Sequence, residues 1–153
     1  PFGCTVQPFA THARDHVRAI ADLPEFLPLA DVVILTVPLN DSTHGLVDAQ
    51  FLARMKPGAL LVNVARGPVV VTSALLDAVN SGHIQAALDV TDPEPLPTDH
   101  PLWHAPGVLI APHLGGDTDV FEGFARTRTH RHLDLWLARE PLECVIVGSA
   151  TPY

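Results

Sequence analysis

Apolar residues in this chain come in short dense runs, separated by stretches of helical period and by turns. Residues 32–37 read Val-Val-Ile-Leu-Thr-Val, residues 60–64 Leu-Leu-Val-Asn-Val, residues 86–90 Ala-Ala-Leu-Asp-Val and residues 108–111 Val-Leu-Ile-Ala. Near-continuous apolar runs of this length, rich in β-branched residues, are the pattern of parallel strands buried on both faces. Residues 4–7, Cys-Thr-Val-Gln, make a fifth candidate strand. Residues 49–55 place Phe51, Leu52 and Met55 on a helix that Pro57-Gly58 ends. Thr72 or Ser73 can cap a second helix that runs through Val79 and stops at Gly82, with Leu75, Leu76 and Val79 as its buried stripe. A long helix is expected over residues 119–139, with Phe121, Phe124, Leu133, Trp136 and Leu137 facing inward. Residues 93–106 hold five prolines and are expected to be mostly loop, and residues 148–153 read as a tail.

Strands alternating with helices predict an α/β fold with a doubly wound parallel sheet, Rossmann-like in class. The expected division is a partial dinucleotide-binding domain over residues 1–116 and a C-terminal helix and tail over residues 117–153. A sheet of this kind normally opens with a strand, a glycine-rich turn and a helix. No G-x-G occurs in the chain, and Pro1-Phe2-Gly3-Cys4-Thr5-Val6 looks like the entry into a second strand. The first strand and glycine-rich turn are therefore expected to be missing, and the 153-residue piece is expected to be inactive alone and to bind cofactor poorly.

Composition narrows the class. Hydrophobic residues make up 47% of the 153 and charged residues 17%, as in a packed domain rather than a disordered chain. The net charge of −8 argues against nucleic acid as a partner. No apolar run reaches the roughly 20 residues of a membrane span, and no signal peptide is visible at Pro1. Cys4 and Cys144 form no C-x-x-C pair and read as buried or incidental thiols of a cytoplasmic protein.

The candidate chemistry lies just past three of the strands. Arg66 follows the run ending at Val64, Asp89 lies at the end of the next and Glu94 follows it, and His113 follows the last. In an open α/β sheet, ligands bind outside the carboxyl ends of the strands. An arginine, a carboxylate and a histidine delivered there could hold an anionic substrate and move a proton.

These blocks support a more specific reading. The run from Ala30 through Leu39 with Thr43, then Asn63-Val64-Ala65-Arg66-Gly67, Leu88-Asp89-Val90, Glu94-Pro95-Leu96-Pro97, Pro101-Leu102-Trp103 and Pro112-His113-Leu114-Gly115-Gly116, resembles the D-isomer-specific 2-hydroxyacid dehydrogenases. The resemblance covers residues 1–147 and only the later part of such an enzyme. It implies that Arg66 binds the substrate carboxylate, that His113 is the acid/base and that Glu94 pairs with His113. It implies that Asp89 hydrogen-bonds the nicotinamide carboxamide, and that Val64 and Ala65 line the nicotinamide pocket, which Arg66 and His113 also border. Pro38 and Thr43, with Val37 beside them, would contact the cofactor near its adenosine and phosphate. Gly115 and Gly116 would let the backbone approach the nicotinamide.

The residue types suit these roles. Histidine titrates near neutrality, so it can take a hydroxyl proton in one direction and return it in the other, and a neighbouring carboxylate fixes its ring. A guanidinium binds a carboxylate through two parallel hydrogen bonds, and Gly67 after Arg66 allows a sharp turn. A carboxylate at a buried strand end needs donors, and for Asp89 these are either a carboxamide or nearby backbone N–H groups.

The cofactor is NAD or NADP. An acid at the end of the second strand would bind the adenine ribose hydroxyls and select NAD, but Ala10 occupies that place. Thr11, His12 and Arg14 could instead receive a 2′-phosphate, which leans toward NADP. Asp117 stands where the family more often has a small residue, and Val70-Val71-Thr72-Ser73 replaces a more acidic stretch. The resemblance also implies a small 2-hydroxy or 2-keto acid substrate and a homodimer of the full-length protein.

Other signals are weaker. His130 and His132 stand two apart and do not share a helix face, and His100 and His104 fall in a proline-rich loop. Asp92, Glu94 and Asp99 form no compact ligand motif, so no metal is expected. The basic stretch around Arg126, Arg128 and Arg131 reads as a solvated or interdomain helix face. No G-x-S-x-G elbow exists. The rival to an oxidoreductase is a non-catalytic module of the same fold that binds a dinucleotide and a protein partner.

Overall fold

A computed structural model describes residues 3–116 and 118–144. Pro1, Phe2, Asp117 and residues 145–153, with the expected tail, lie outside the described residues. The chain divides into two compact units between Leu114 and Gly115.

The first unit opens with two short strands, β1 (Phe9–Ala10) and β2 (Arg18–Ala19), paired in parallel as a sheet of their own. The strand expected at residues 4–7 is not formed; Val6 is 80% exposed there. Pairing begins instead at Phe9, whose ring meets that of Phe26 edge-on at 5.4 Å while the Arg18 guanidinium sits 4.5 Å over the Phe26 ring. An aromatic anchor holds a strand where a short polar-edged run has none.

A single helical turn, α1 (Leu23–Phe26), leads into the main sheet. There β3 (Val32–Leu35), α2 (Ala49–Arg54), β4 (Leu60–Asn63), α3 (Thr72–Asn80), β5 (Gln85–Leu88) and β6 (Val108–Ile110) follow in order. The four strands lie side by side as β3-β4-β5-β6, all parallel, with Leu61 opposite Val33 and Ala86. This is the expected parallel, Rossmann-like α/β class. Each of these strands stops one or two residues before its apolar run does. Thr36, Val37, Val64, Asp89, Val90 and Ala111 therefore belong to the loops at the carboxyl edge.

Side chains alternate across the sheet, and the two faces differ. Leu35, Leu61, Asn63, Ala86 and Leu88 are buried on one face, in a core shared with Phe51, Leu52 and Met55 of the α2 segment and Leu75 and Val79 of α3. On the other face Ile34 is 60% and Leu109 69% exposed. Burial on both faces, expected from the continuous apolar runs, holds for one face only among the described residues, because α2 and α3 pack on the same side.

Helix ends also differ from expectation. Val71, not Thr72 or Ser73, occupies the cap position of α3, and the Thr72 hydroxyl donates instead to the Asp92 carbonyl at 2.7 Å. Gly82, at φ +73°, ends that helix as its position suggests. Asp48 caps α2 by accepting from the Phe51 N–H at 2.9 Å. The proline-rich stretch is loop apart from one 3₁₀ turn over Pro101–His104.

The second unit is built on α4 (Phe121–Ala138). The expected inward face does not exist: Phe121, Phe124, Leu133, Trp136 and Leu137 are all exposed. At 3.6 residues per turn those positions spread around well over half of the helix, so they make no single stripe. Arg131 donates to Glu143 in this unit. Cys4 and Cys144 are exposed thiols, not buried ones. Among the described residues no helix is long and apolar enough to cross a membrane.

Candidate active site

Because β3 to β6 are parallel, their carboxyl ends share one edge, and the four loops leaving that edge hold the candidate residues of the first unit. The loop after β3 is organised by Thr43. Its buried hydroxyl lies 2.6 Å from the Pro38 carbonyl, to which it donates, and accepts from the Asn40 N–H at 2.9 Å. Two residues on, the Gly45 N–H donates to the Pro68 carbonyl at 2.8 Å, joining this loop to the next. Pro38 is exposed and Val37 half-buried beside it.

The loop after β4 carries Arg66. Asn63, 1% exposed at the strand end, uses both ends of its amide on this loop. Its Oδ1 accepts from the Ala65 N–H at 3.0 Å, and its Nδ2 donates to the Arg66 carbonyl at 3.0 Å. Gly67 then passes so close to the next loop that a Cβ there would lie 1.8 Å from the Thr91 carbonyl oxygen. Its backbone is not in the left-handed region, so the glycine serves this close approach rather than a sharp turn. Ala65 is buried, while Val64 stays 45% exposed at the edge. The Arg66 side chain is exposed and donates from Nη1 to the Ala65 carbonyl at 2.6 Å. Among the described residues no carboxylate pairs with it.

The loops after β5 and β6 are joined by side chains. The Asp89 N–H donates to the Asn63 carbonyl at 2.9 Å, and its carboxylate accepts from the Leu114 N–H at 2.8 Å. Of the two donors expected for this carboxylate, the backbone is thus present in the structure. Thr91 and Thr72 brace the segment before Glu94 by donating to the Pro93 and Asp92 carbonyls. His113 adopts a left-handed backbone at φ +56°, uncommon for a residue with a Cβ. Its Nδ1 lies 2.6 Å from Glu94 Oε1, with both side chains partly open to solvent.

Arg66, Asp89, Glu94 and His113 thus stand on neighbouring loops of one edge, linked through Asn63, Asp89 and Leu114. Gly115 and Gly116 open the second unit, and a Cβ on Gly116 would meet nothing within 4 Å. The pattern of hydrophobicity singles out neither Asn63 nor Thr91 for a role, and marks Thr72 only as a helix cap. The available signal for Asn63 was a lone amide inside an apolar strand, since a buried polar group needs partners.

The arrangement suits proton transfer beside an anion site. A carboxylate on Nδ1 fixes the imidazole and leaves proton exchange to Nε2. An exposed guanidinium on the adjoining loop can receive a carboxylate in two parallel hydrogen bonds. The apolar Val64 surface and the Asp89 carboxylate at the same edge fit a nicotinamide ring and its carboxamide in kind.

Residues 1–115 match the family model described as the NAD binding domain of D-isomer specific 2-hydroxyacid dehydrogenases. An uncharacterized protein from the proB 3′ region of Corynebacterium melassecola is 47% identical over 135 residues, covering 88% of this chain and 41% of that protein. Glyoxylate/hydroxypyruvate reductase B of Citrobacter koseri is 48% identical over 98 residues, 63% of this chain and 30% of that enzyme. A D-isomer specific 2-hydroxyacid dehydrogenase from Xanthobacter autotrophicus Py2, solved with NADPH and MES, superposes with a TM-score of 0.78 at 36% identity, over 88% of this chain and 57% of that one. The chain spans well under two thirds of the length of these relatives. With the parallel sheet, the ordered blocks at its carboxyl edge and the match over residues 1–115, this chain belongs to the D-isomer specific 2-hydroxyacid dehydrogenase family.

Proposed function

We propose that the protein interconverts a small D-2-hydroxy acid and its 2-keto acid with NAD(P). The observation that supports this most is the imidazole of His113 held by Glu94 at 2.6 Å, on the same sheet edge as the Arg66 guanidinium, which pairs with no carboxylate among the described residues. Arg66 receives the substrate carboxylate. In the reductive direction His113 delivers a proton from Nε2 to the carbonyl oxygen, and in the oxidative direction it takes that proton back. Glu94 holds the ring and stabilises the imidazolium. A nicotinamide bound beside Val64 supplies or accepts the hydride. Asp89 and the surface formed by Val64 and Ala65 orient it, and Val37, Pro38 and Thr43 face its adenosine and phosphate. Gly115 and Gly116 provide close backbone approach.

Ala10 ends β1, and Thr11, His12 and Arg14 beyond it are exposed, which favours a 2′-phosphate and hence NADP. The Xanthobacter relative was solved with NADPH. The working assembly on this reading is a cytoplasmic homodimer of the full-length polypeptide. Because these residues hold no G-x-G turn, the 153-residue chain alone is expected to be inactive and to bind NAD(P) weakly.

The test is NAD(P)H oxidation by the full-length polypeptide with glyoxylate, hydroxypyruvate and pyruvate. Turnover that disappears in His113→Ala supports the reading. No turnover across a broad keto-acid panel would instead favour a non-catalytic dinucleotide-binding module.

A further inference from the structure

Asn63 is the one side chain of β4 whose polar atoms reach beyond the strand. It is 1% exposed, so its amide has no water to fall back on, and both of its polar atoms are bound to the loop that carries Arg66. The acceptor holds the Ala65 N–H and the donor holds the Arg66 carbonyl, so the amide closes a ring around the peptide that precedes the guanidinium. The backbone carbonyl of the same residue accepts from the Asp89 N–H at 2.9 Å. Asp89 in turn holds the Leu114 N–H, next to His113.

Sterics alone do not set this loop. Gly67 fixes how near it lies to Thr91, but the peptide between Asn63 and Arg66 has no helix or strand to define it. Backbone bonds tie only its ends, from the Val64 N–H to the Leu35 carbonyl at 3.4 Å and from the Val69 N–H to the Arg66 carbonyl at 3.2 Å, and the Asn63 amide is the one strand side chain that binds between them. A bidentate contact between guanidinium and carboxylate is directional, so a small rotation of the Arg66 backbone misaims it.

We infer that Asn63 is a positioning residue that aims Arg66 at the substrate carboxylate, through its amide clamp on Ala65 and Arg66. This rests on the reading of Arg66 given above. Asn63 touches no reacting atom on this account. Its loss shows chiefly in the handling of the keto acid and less in the affinity for the cofactor, which it reaches only through Ala65.

The experiment is a double-mutant cycle in the full-length polypeptide, using Asn63→Ala, Arg66→Ala and the combined variant. KM and kcat for the best keto acid are measured alongside the Kd for NAD(P)H. Asn63→Ala is expected to lower kcat/KM by about ten- to a hundredfold, mainly through KM for the keto acid, with a smaller change in the NAD(P)H Kd transmitted through Ala65. The combined variant is expected to be no worse than Arg66→Ala, because the clamp has nothing left to aim. Should Asn63→Ala fail to fold, Asn63→Ser leaves a smaller void, has a shorter side chain with a single polar atom in place of the two that hold Ala65 and Arg66, and should show the same KM-weighted loss in milder form. An unchanged KM in the Asn63 variant, or losses that multiply in the combined variant, would overturn the positioning role while leaving Arg66 in place. An unchanged KM in Arg66→Ala would remove the carboxylate reading, and this inference with it.

Discussion

The loops that carry Arg66 and His113 leave the same sheet edge but are held in different ways. The Arg66 loop is pinned from inside: a buried amide binds its backbone, and Gly67 lies against Thr91 with no room for a methyl group. The His113 loop is held at the surface by an imidazole–carboxylate contact between partly exposed side chains, on a left-handed backbone that Asp89 steadies through the Leu114 amide. A group that binds a fixed charge benefits from rigidity, since its proton never leaves. A group that exchanges protons needs access to solvent and a partner that tolerates either state. On the function proposed above, the difference in construction follows the difference in task.

The largest effect should come from the solvent-open loop. His113→Ala is expected to lower turnover by about a hundred- to ten-thousandfold, read as steady-state NAD(P)H oxidation. An unchanged rate would remove the acid/base assignment and with it the functional contrast between the loops. Gly67→Ala tests the pinned loop. The added methyl must displace the Thr91 carbonyl or the Arg66 turn, at a cost of about 1–3 kcal/mol in thermal unfolding and with a raised keto-acid KM. Full stability and full activity in this variant would show that the two loops are not in the close contact described.

Glu94→Gln sharpens the comparison further. It keeps a hydrogen-bond acceptor for His113 while removing the charge, so turnover should fall by roughly tenfold, much less than on deleting the imidazole. A loss as large as that of His113→Ala would make Glu94 an equal partner in proton transfer. The smallest effect is expected in the second unit, at Glu143. The hydrogen bond from Arg131, aided by its positive charge, holds that carboxyl below its ordinary value although the pair is exposed. A lowered folded value means that the contribution of the pair is present above the ordinary carboxylate range and fades as pH falls through the folded value. An NMR titration should find the Glu143 midpoint below that of a free glutamate. Glu143→Gln should leave thermal stability near neutral pH within error.

The main sheet was largely legible in the chain because each strand is a dense apolar run, and such runs have few alternatives to burial. Residues 32–37 and 60–64 appear in the structure as Val32–Leu35 and Leu60–Asn63. The trimmed residues are the ones that turn outward at the edge. Residues 4–7 misled because local β-propensity does not supply a neighbour to pair with, whereas Phe9 has Phe26. The residues over 119–139 do form a helix, but their apolar positions are spread too widely to make an inward face. In the site, Arg66, Asp89, Glu94 and His113 were visible as polar residues at or within a few positions of the carboxyl ends of apolar runs. Asn63 was visible only as an exception within one.

The order of elements, the parallel sheet class and the identity of the chemical groups follow from sequence alone, because hydrophobic period and residue type are local properties. Which face of the sheet is covered, the amide clamp on Arg66 and the close pass of Gly67 were decided only in three dimensions. Each joins residues that lie on different loops or depends on the direction of a single side chain. A one-dimensional pattern carries no such angle: hydrogen bonds and steric contacts are set by positions that exist only after the strands have aligned.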